Sequence, residues 1–151
     1  MGFLTGKTAI ITGAGRAILK DGSCGSIGYG IATAYAKEGA NLVIAGRNVK
    51  KLEAAKQELE SLYGIKVLTV QADVCAGGDN EATVANVVKQ AVDTFGGIQV
   101  LINNAQASAS GVPLAEHTTE QFDLAIYSGL YAAFYYMKAC YPYLALSLIH
   151  I

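Results

Sequence analysis

Short apolar runs alternate along the chain with stretches in which apolar residues recur every three or four positions. "TAIIT" (Thr8–Thr12) is a continuous run, as expected of a strand covered on both faces. Ile27, Ile31 and Tyr35 then recur at spacing four and predict a helix stopped by Gly39. "NLVIA" (Asn41–Ala45) reads as a second buried strand. Asn48 is placed to cap a helix whose face carries Leu52, Ala55, Leu59 and Leu62, and Gly64 ends it. "KVLTVQA" is the third strand. Val84, Val87, Val88, Ala91, Val92 and Phe95 stripe a third helix that Gly96 and Gly97 close. "QVLINN" is the fourth strand, and Thr118 with Gln121 forms a capping-box pair opening a last helix.

Four strand–helix alternations predict an α/β fold: a parallel sheet with helices on both faces. Ligands of such folds bind beyond the carboxyl ends of the strands, so the loops after Thr12, Ala45, Ala72 and Asn103 are expected to hold the site. No repeat, linker or low-complexity segment interrupts the pattern.

Composition narrows this little. The 151 residues suit one domain or part of one, and 52% hydrophobic with 15% charged residues predicts a packed core. A net charge of -1 without a basic block argues against nucleic acid or an anionic membrane as partner. Cys24, Cys75 and Cys140 have no metal or redox spacing and read as reduced thiols of a cytoplasmic protein; no metal site is expected. The start, "MGFLTGKTAI", has neither a cleavable-signal nor a myristoylation pattern. Leu124 to Met137 carries no charge, but Lys138 and Pro142 interrupt it short of the roughly 18 residues of a membrane span, which predicts a buried helix. His117 and His150 are expected on the solvated surface.

The chemistry concentrates in "AIITGAGRAILKDGSCGSIGYGIATAYAKEGA". A pyrophosphate needs backbone N–H donors at a helix N-terminus and residues without a bulky Cβ. Gly13, Ala14 and Gly15 leave the first strand, and Ser26, Ile27 and Gly28 enter the helix. About nine residues lie between them beyond a compact phosphate-binding turn. Those residues, centred on "LKDGSCG", read either as a plain surface loop between strand and helix or as an insertion that bulges outward while its ends hold phosphate; the two readings are compatible. After the second strand stand Gly46 and Arg47 rather than a carboxylate. A guanidinium there suits a 2′-phosphate and has no matching role for a bare ribose hydroxyl.

With "TGAG…SIGYGIA", "ADV" and "NNAQ" in order, Lys7 to about Leu144 resembles the short-chain dehydrogenase/reductase family. The resemblance implies a Rossmann-like, doubly wound parallel sheet and an NADP cofactor. Gly13, Ser26, Ile27 and Gly28 would line the pyrophosphate. Asp73 would accept from the adenine amino group with Val74 beside the ring. Asn104 and Ala105 would meet the ribose through backbone atoms, and Asn103 would tie neighbouring strands together. Within the family, "INNAQASASG" and "IYSGLYAAFYYMKACYPYL" are similar to the NADP-dependent 12α-hydroxysteroid dehydrogenases of gut bacteria. A small-molecule substrate and a homo-oligomeric parent, dimer or tetramer, are implied.

Three positions depart from the family pattern. Gln106 replaces a glycine and would reach cofactor or substrate. Ser26 replaces a loop glycine. Gly129 stands where many members carry a catalytic asparagine that supports a proton relay. Ser108 and Ser110 begin a region that faces substrate in the family, although loop polarity alone accounts for them. Tyr127, Tyr131 and Tyr135, at spacing four, are expected to serve core or subunit packing rather than a steroid-stacking wall.

The family's chemistry needs a Tyr with a Lys four residues on, and no Tyr of this chain has one. The expectation is therefore a fold truncated after the fourth strand and following helix. Residues 1–145 would be the cofactor-binding half of one domain, without catalytic residues, and 146–151 ("LSLIHI") a non-native tail. The parent would be an NADP-dependent oxidoreductase interconverting a secondary alcohol and a ketone, on a steroid or bile acid. Two alternatives stand beside it. An enoyl-acyl-carrier-protein reductase shares the "SI-x-Y-G-I-A" loop end but lacks "NNA". The other is a non-catalytic dinucleotide-binding module.

Overall fold

The structure is a computed structural model and describes residues 2–75 and 80–148. β1 (Thr8–Thr12) lies between β2 (Asn41–Gly46) and β4 (Val100–Ile102), and β3 (Val67–Gln71) pairs outside β2. All pairs are parallel, with Thr8 opposite Asn41, Ala9 opposite Val100 and Leu42 opposite Val67. Parallel neighbours need crossovers, and α1 (Ile27–Lys37), α2 (Val49–Tyr63) and α3 (Asn80–Phe95) provide them. A longer helical segment follows: α4 (Thr119–Ala125), a π-turn (Ile126–Tyr131) and α5 (Ala132–Leu148).

Side chains of β1 and β2 alternate between two cores, as the pleat requires. Ala9, Ile11, Leu42 and Ile44 pack under α1 and α2. Ile10, Val43 and Val70 pack under α3 and α5, with Val84, Val87, Val88, Tyr136 and Cys140. Both faces of the sheet are covered, which is why the strands read as unbroken apolar runs. The expected helix signals are present. Asn48 Oδ1 accepts from Lys51 N at 3.0 Å, Gly64 closes α2 at φ 64°, and Thr118 with Gln121 makes both capping-box bonds.

The structure departs from the periodicity in three places. On α1 the buried residues are Gly28, Tyr29, Ala32 and Ala36, while Ile27 is 77% exposed. Small residues let α1 approach the sheet closely, whereas a stripe of large ones would hold it off. On α2, Leu52, Ala55 and Leu59 are buried but Leu62 is 63% exposed. Leu62 lies only about 20° beyond Ala55 around the helix, but it is the last residue but one of α2, where the helix end leaves it to solvent. The last helix is buried on one face only, because Phe134, Met137 and Tyr141 of α5 are exposed. Among the described residues no helix is long and apolar enough to cross a membrane.

Residues 146–148 continue α5, so no helix end marks the expected boundary after 145, and the rest of the tail, with His150, lies outside the described residues. His117 is half-buried, with Nδ1 3.2 Å from the Pro113 carbonyl.

Candidate functional site

The carboxyl ends of the four strands meet around Thr12. Gly13 turns the chain at φ 72°, and its N–H donates to Ala45 O at 2.7 Å. A Cβ at Gly13 would lie 2.8 Å from Asn104 Nδ2. Gly28, in the first turn of α1, packs on the same point; a Cβ there would lie 2.4 Å from Gly13 O and 2.5 Å from Asn104 Nδ2. The glycine turn, the helix start and the end of β4 therefore touch through backbone and one carboxamide.

Asn104 and Thr12 hold this junction. Asn104 Nδ2 donates to Thr12 O at 2.8 Å, and the N–H groups of Asn104 and Ala105 both donate to Thr12 Oγ1 at 2.9 Å. The strand tie expected of Asn103 is thus made by Asn104. Side chains alternate along the chain, so only one of the two can face β1, and Asn103 is exposed. Ser26 caps α1, with Tyr29 N donating to its Oγ at 3.4 Å. The free N–H groups of that turn form an anion-favouring end.

Two cavities flank Arg47. The first, about 180 Å³, is walled by Gly13, Gly46, Arg47, Val74, Cys75, Asn104, Ala105 and Gln106. The second, about 220 Å³, is walled by Gly13, Gly15, Ala17, Ser26, Arg47, Asn48 and Lys51. Gly13, Gly46 and Arg47 belong to both, so the two form one groove across the strand ends. Arg47 makes no ion pair among the described residues, and Gln71 Nε2 donates to its carbonyl at 3.2 Å. Burial, then the Asp73 charge, raises the Cys75 thiol above its ordinary value.

Of the residues singled out from sequence, Gly13, Ser26, Arg47, Val74, Asn104, Ala105 and Gln106 come together on this groove. Three do not line it. Gly28 is buried beneath the turn, and the Ile27 side chain points outward. Asp73 is exposed and accepts from Cys75 N at 2.9 Å.

A third cavity, about 120 Å³, continues from Gln106 to Ser128, Gly129 and Tyr136. Gln106 and Gly129 are brought together here: a Cβ at residue 129 would lie 3.6 Å from Gln106 Nε2. The Gln106 side chain therefore stands in van der Waals reach of residue 129, with room for a Cβ between them. Buried Ser128 accepts from Ala107 N at 2.9 Å and donates to Leu124 O at 2.7 Å, tying the loop after β4 to the π-turn. Asn80, fully buried, donates from Nδ2 to Val74 O at 2.7 Å and Tyr127 O at 3.1 Å. Tyr127 and Tyr131 stack at 5.4 Å between ring centroids, both exposed, on the outer face of this segment.

The extra residues after Gly15 form a small hairpin. Ile18 and Cys24 make an antiparallel bridge, Leu19 N donates to Ser23 O at 2.9 Å, and Gly22 turns the tip at φ 81°. The base is closed by Gly25 N to Ala17 O at 2.7 Å. Arg16 leaves the hairpin to ion-pair with Glu58 of α2, whose other carboxylate oxygen accepts from the Tyr29 hydroxyl of α1. The Tyr29 hydrogen bond, then Arg16, lowers the Glu58 carboxyl. Burial, then Glu58, pushes the Tyr29 phenol up to about 12.

Sequence reading missed Thr12, Asn80, Ser128 and the Arg16–Glu58–Tyr29 cluster. Each works through a partner that only the fold supplies. Among the described residues no group of His, Cys, Asp or Glu stands where it could hold a metal ion.

Parallel strand order, a glycine turn against a capped helix and a groove over the strand ends define a dinucleotide-binding α/β domain. The short chain dehydrogenase family model matches residues 7–147, and the chain belongs to that family. It is 60% identical over 144 residues to a 12alpha-hydroxysteroid dehydrogenase of a Clostridium species, covering 95% of this chain and 53% of the relative. L-sorbose reductase from Gluconobacter frateurii, solved with NADPH and L-sorbose, superposes with a TM-score of 0.82 at 31% identity, covering 97% of this chain and 50% of that one. An alcohol dehydrogenase from Thermococcus sibiricus, solved with 5-hydroxy-NADP, gives 0.80 at 29%, covering 93% and 54%. The chain thus spans about half the length of these relatives.

Proposed function

We propose that this chain is the cofactor-binding half of an NADP-dependent dehydrogenase that interconverts a secondary alcohol and a ketone on a steroid of the bile-acid class. The observation that carries the cofactor choice is Arg47. It stands at the end of β2, after a glycine, borders both cavities of the groove and forms no ion pair among the described residues. A 2′-phosphate in the second cavity would gain a charge-assisted contact there, whereas a bare 2′-hydroxyl would find no carboxylate to accept its proton.

The residues fit such a group. Gly13 and Gly28 leave no room for side chains beside the turn, and the N-terminus of α1 offers N–H donors to the pyrophosphate. Val74 and Ala105 wall the first cavity with apolar surface for the base and ribose. When bound, the nicotinamide group supplies the hydride acceptor or donor. Gln106, at the join of the first and third cavities, orients the portion that crosses toward the reacting end. The proton-transfer groups lie outside these residues, since no Tyr here has a Lys four positions on. The steroid assignment rests on the Clostridium relative. The exposed aromatic face of α4 and α5 supports a homo-oligomeric parent, and three unpaired thiols with an NADP cofactor support a cytoplasmic setting.

The test is calorimetric titration of the full-length protein with NADP and NAD, before and after Arg47→Ala. Loss of a charge-assisted contact of about 1.5–3 kcal/mol should weaken NADP roughly ten- to a hundredfold and leave NAD nearly unchanged. A native preference for NAD would overturn the assignment. The enoyl-reductase reading predicts turnover of enoyl thioesters but not of secondary alcohols.

A further inference from the structure

A loop as long as the one joining β1 to α1 ordinarily leaves its end residues mobile, because it runs over the surface with few fixed contacts. Here its first leg is held on α2 by three independent contacts. Arg16 N donates to Lys51 O at 2.8 Å. Gly15 lies so close that a Cβ on it would stand 3.0 Å from Lys51 Cβ. The Arg16 guanidinium runs along α2 to Glu58, seven residues beyond Lys51, where the carboxylate is also bound by the buried Tyr29 of α1. Among the described residues the hairpin tip makes no such contact with α2.

The held leg helps to wall the second cavity: Gly15 and Ala17 line it together with Arg47, Asn48 and Lys51. Arg16 does not line that cavity. Its charge is paired away from the cavity, which leaves Arg47 and Lys51 as the cations that border it. Resting on the cofactor reading above, we propose that Glu58 is a positioning residue for recognition of the 2′-phosphate: through Arg16 and Tyr29 it holds leg 15–17 against α2 and so sets the cavity in which Arg47 and Lys51 meet the phosphate. The raised Tyr29 phenol and lowered Glu58 carboxyl accord with a carboxylate held between two donors.

The experiment uses the full-length protein and two probes that need no catalysis. Adenosine 2′,5′-bisphosphate carries the 2′-phosphate and adenosine 5′-monophosphate does not. Binding is measured by calorimetry for the unaltered protein, Arg47→Ala, Glu58→Gln, Arg16→Met, the Arg16→Met/Glu58→Gln double variant and Tyr29→Phe, with a thermal melt of each. Glu58→Gln keeps an acceptor for Tyr29 and the volume of the side chain, so its fold should survive. The expected result is a loss of about tenfold for the bisphosphate in each brace variant, the double variant no worse than the singles, and the monophosphate within about twofold. Tyr29→Phe, which leaves the ion pair, should lose less.

Weakening by Arg16→Met with unchanged or tighter binding in Glu58→Gln would mean Arg16 meets the phosphate itself, and overturns the proposal. So would equal loss for both probes, or lower melting temperatures with unchanged affinities, since either is a merely structural role. If the unaltered protein does not favour the bisphosphate, and Arg47→Ala changes nothing, the cofactor reading fails and the positioning role fails with it. If Arg47→Ala has its effect but the brace variants do not, only the positioning role fails.

Discussion

A methyl group at residue 28 has no free space. Gly13 O and Asn104 Nδ2 already occupy the positions 2.4 and 2.5 Å from where it would stand. Gly28→Ala should therefore push α1 away from the turn, cost about 1–3 kcal/mol of stability by overpacking, and weaken dinucleotide binding in the same variant. Urea unfolding with and without NADP reads both, and an unchanged midpoint would show that the helix shifts without cost. The leucines of α2 make a second test at this scale. Leu59→Ala removes a fully buried side chain and should cost about 2–5 kcal/mol. Leu62→Ala, at an exposed position, should stay within about 0.5 kcal/mol. Comparable losses in the two melts would return Leu62 to the core that its spacing suggests.

At the scale of elements, β4 is the exposed feature of the sheet. It pairs with β1 and, among the described residues, with nothing on its other side. Its residues Val100, Leu101 and Ile102 are half-buried and apolar, and unpaired N–H and C=O groups beside them form a template for another strand. The outer face of α4, the π-turn and α5 adds Phe122, Tyr131, Phe134 and Met137. The 151-residue chain alone should self-associate as its concentration rises, with light scattering as the measurement. Amide exchange along β4 should run faster than along the central β1. A monodisperse chain with β4 protected as well as β1 would contradict both expectations.

For the molecule as a whole, burial sets the response to pH. Tyr29 is raised from 10.0 to about 12 by burial and Glu58, Cys140 from 9.0 to about 12 by burial, and Tyr136 is raised by burial as well. All three stay neutral in the folded chain while the unfolded chain ionises first. Their contribution to stability is fully present below pH 9 and is lost as pH rises through about 12. The acid limb has the opposite sign. The folded Glu58 carboxyl is lowered, so its contribution is present above the ordinary 4.5 and disappears as pH falls through the folded value. Melting temperatures between pH 8 and 12 should fall steeply, and Tyr29→Phe with Cys140→Ala should flatten that limb. An unchanged slope would mean that these groups do not report global unfolding.

Much of this architecture was legible in the amino-acid order because it depends on neighbours in the chain. Alternating runs specify strands and crossovers, Asn48 and Thr118 cap the helices that follow them, and Gly13 marks a turn with positive φ. Arg47 is readable too, since the end of a predicted strand fixes its place. Other features join residues far apart in sequence, and no local period records them. The choice of Gly28, Tyr29, Ala32 and Ala36 as the buried face of α1 depends on how closely that helix can approach the sheet. Asn104 rather than Asn103 ties the strands because pleat and register turn it toward Thr12, 92 residues away. Gln106 meets Gly129 across a cavity, and Arg16, Tyr29 and Glu58 converge from a hairpin and two helices. Periodicity tells which residues can be buried together; only packing in three dimensions decides which polar groups face one another once they are.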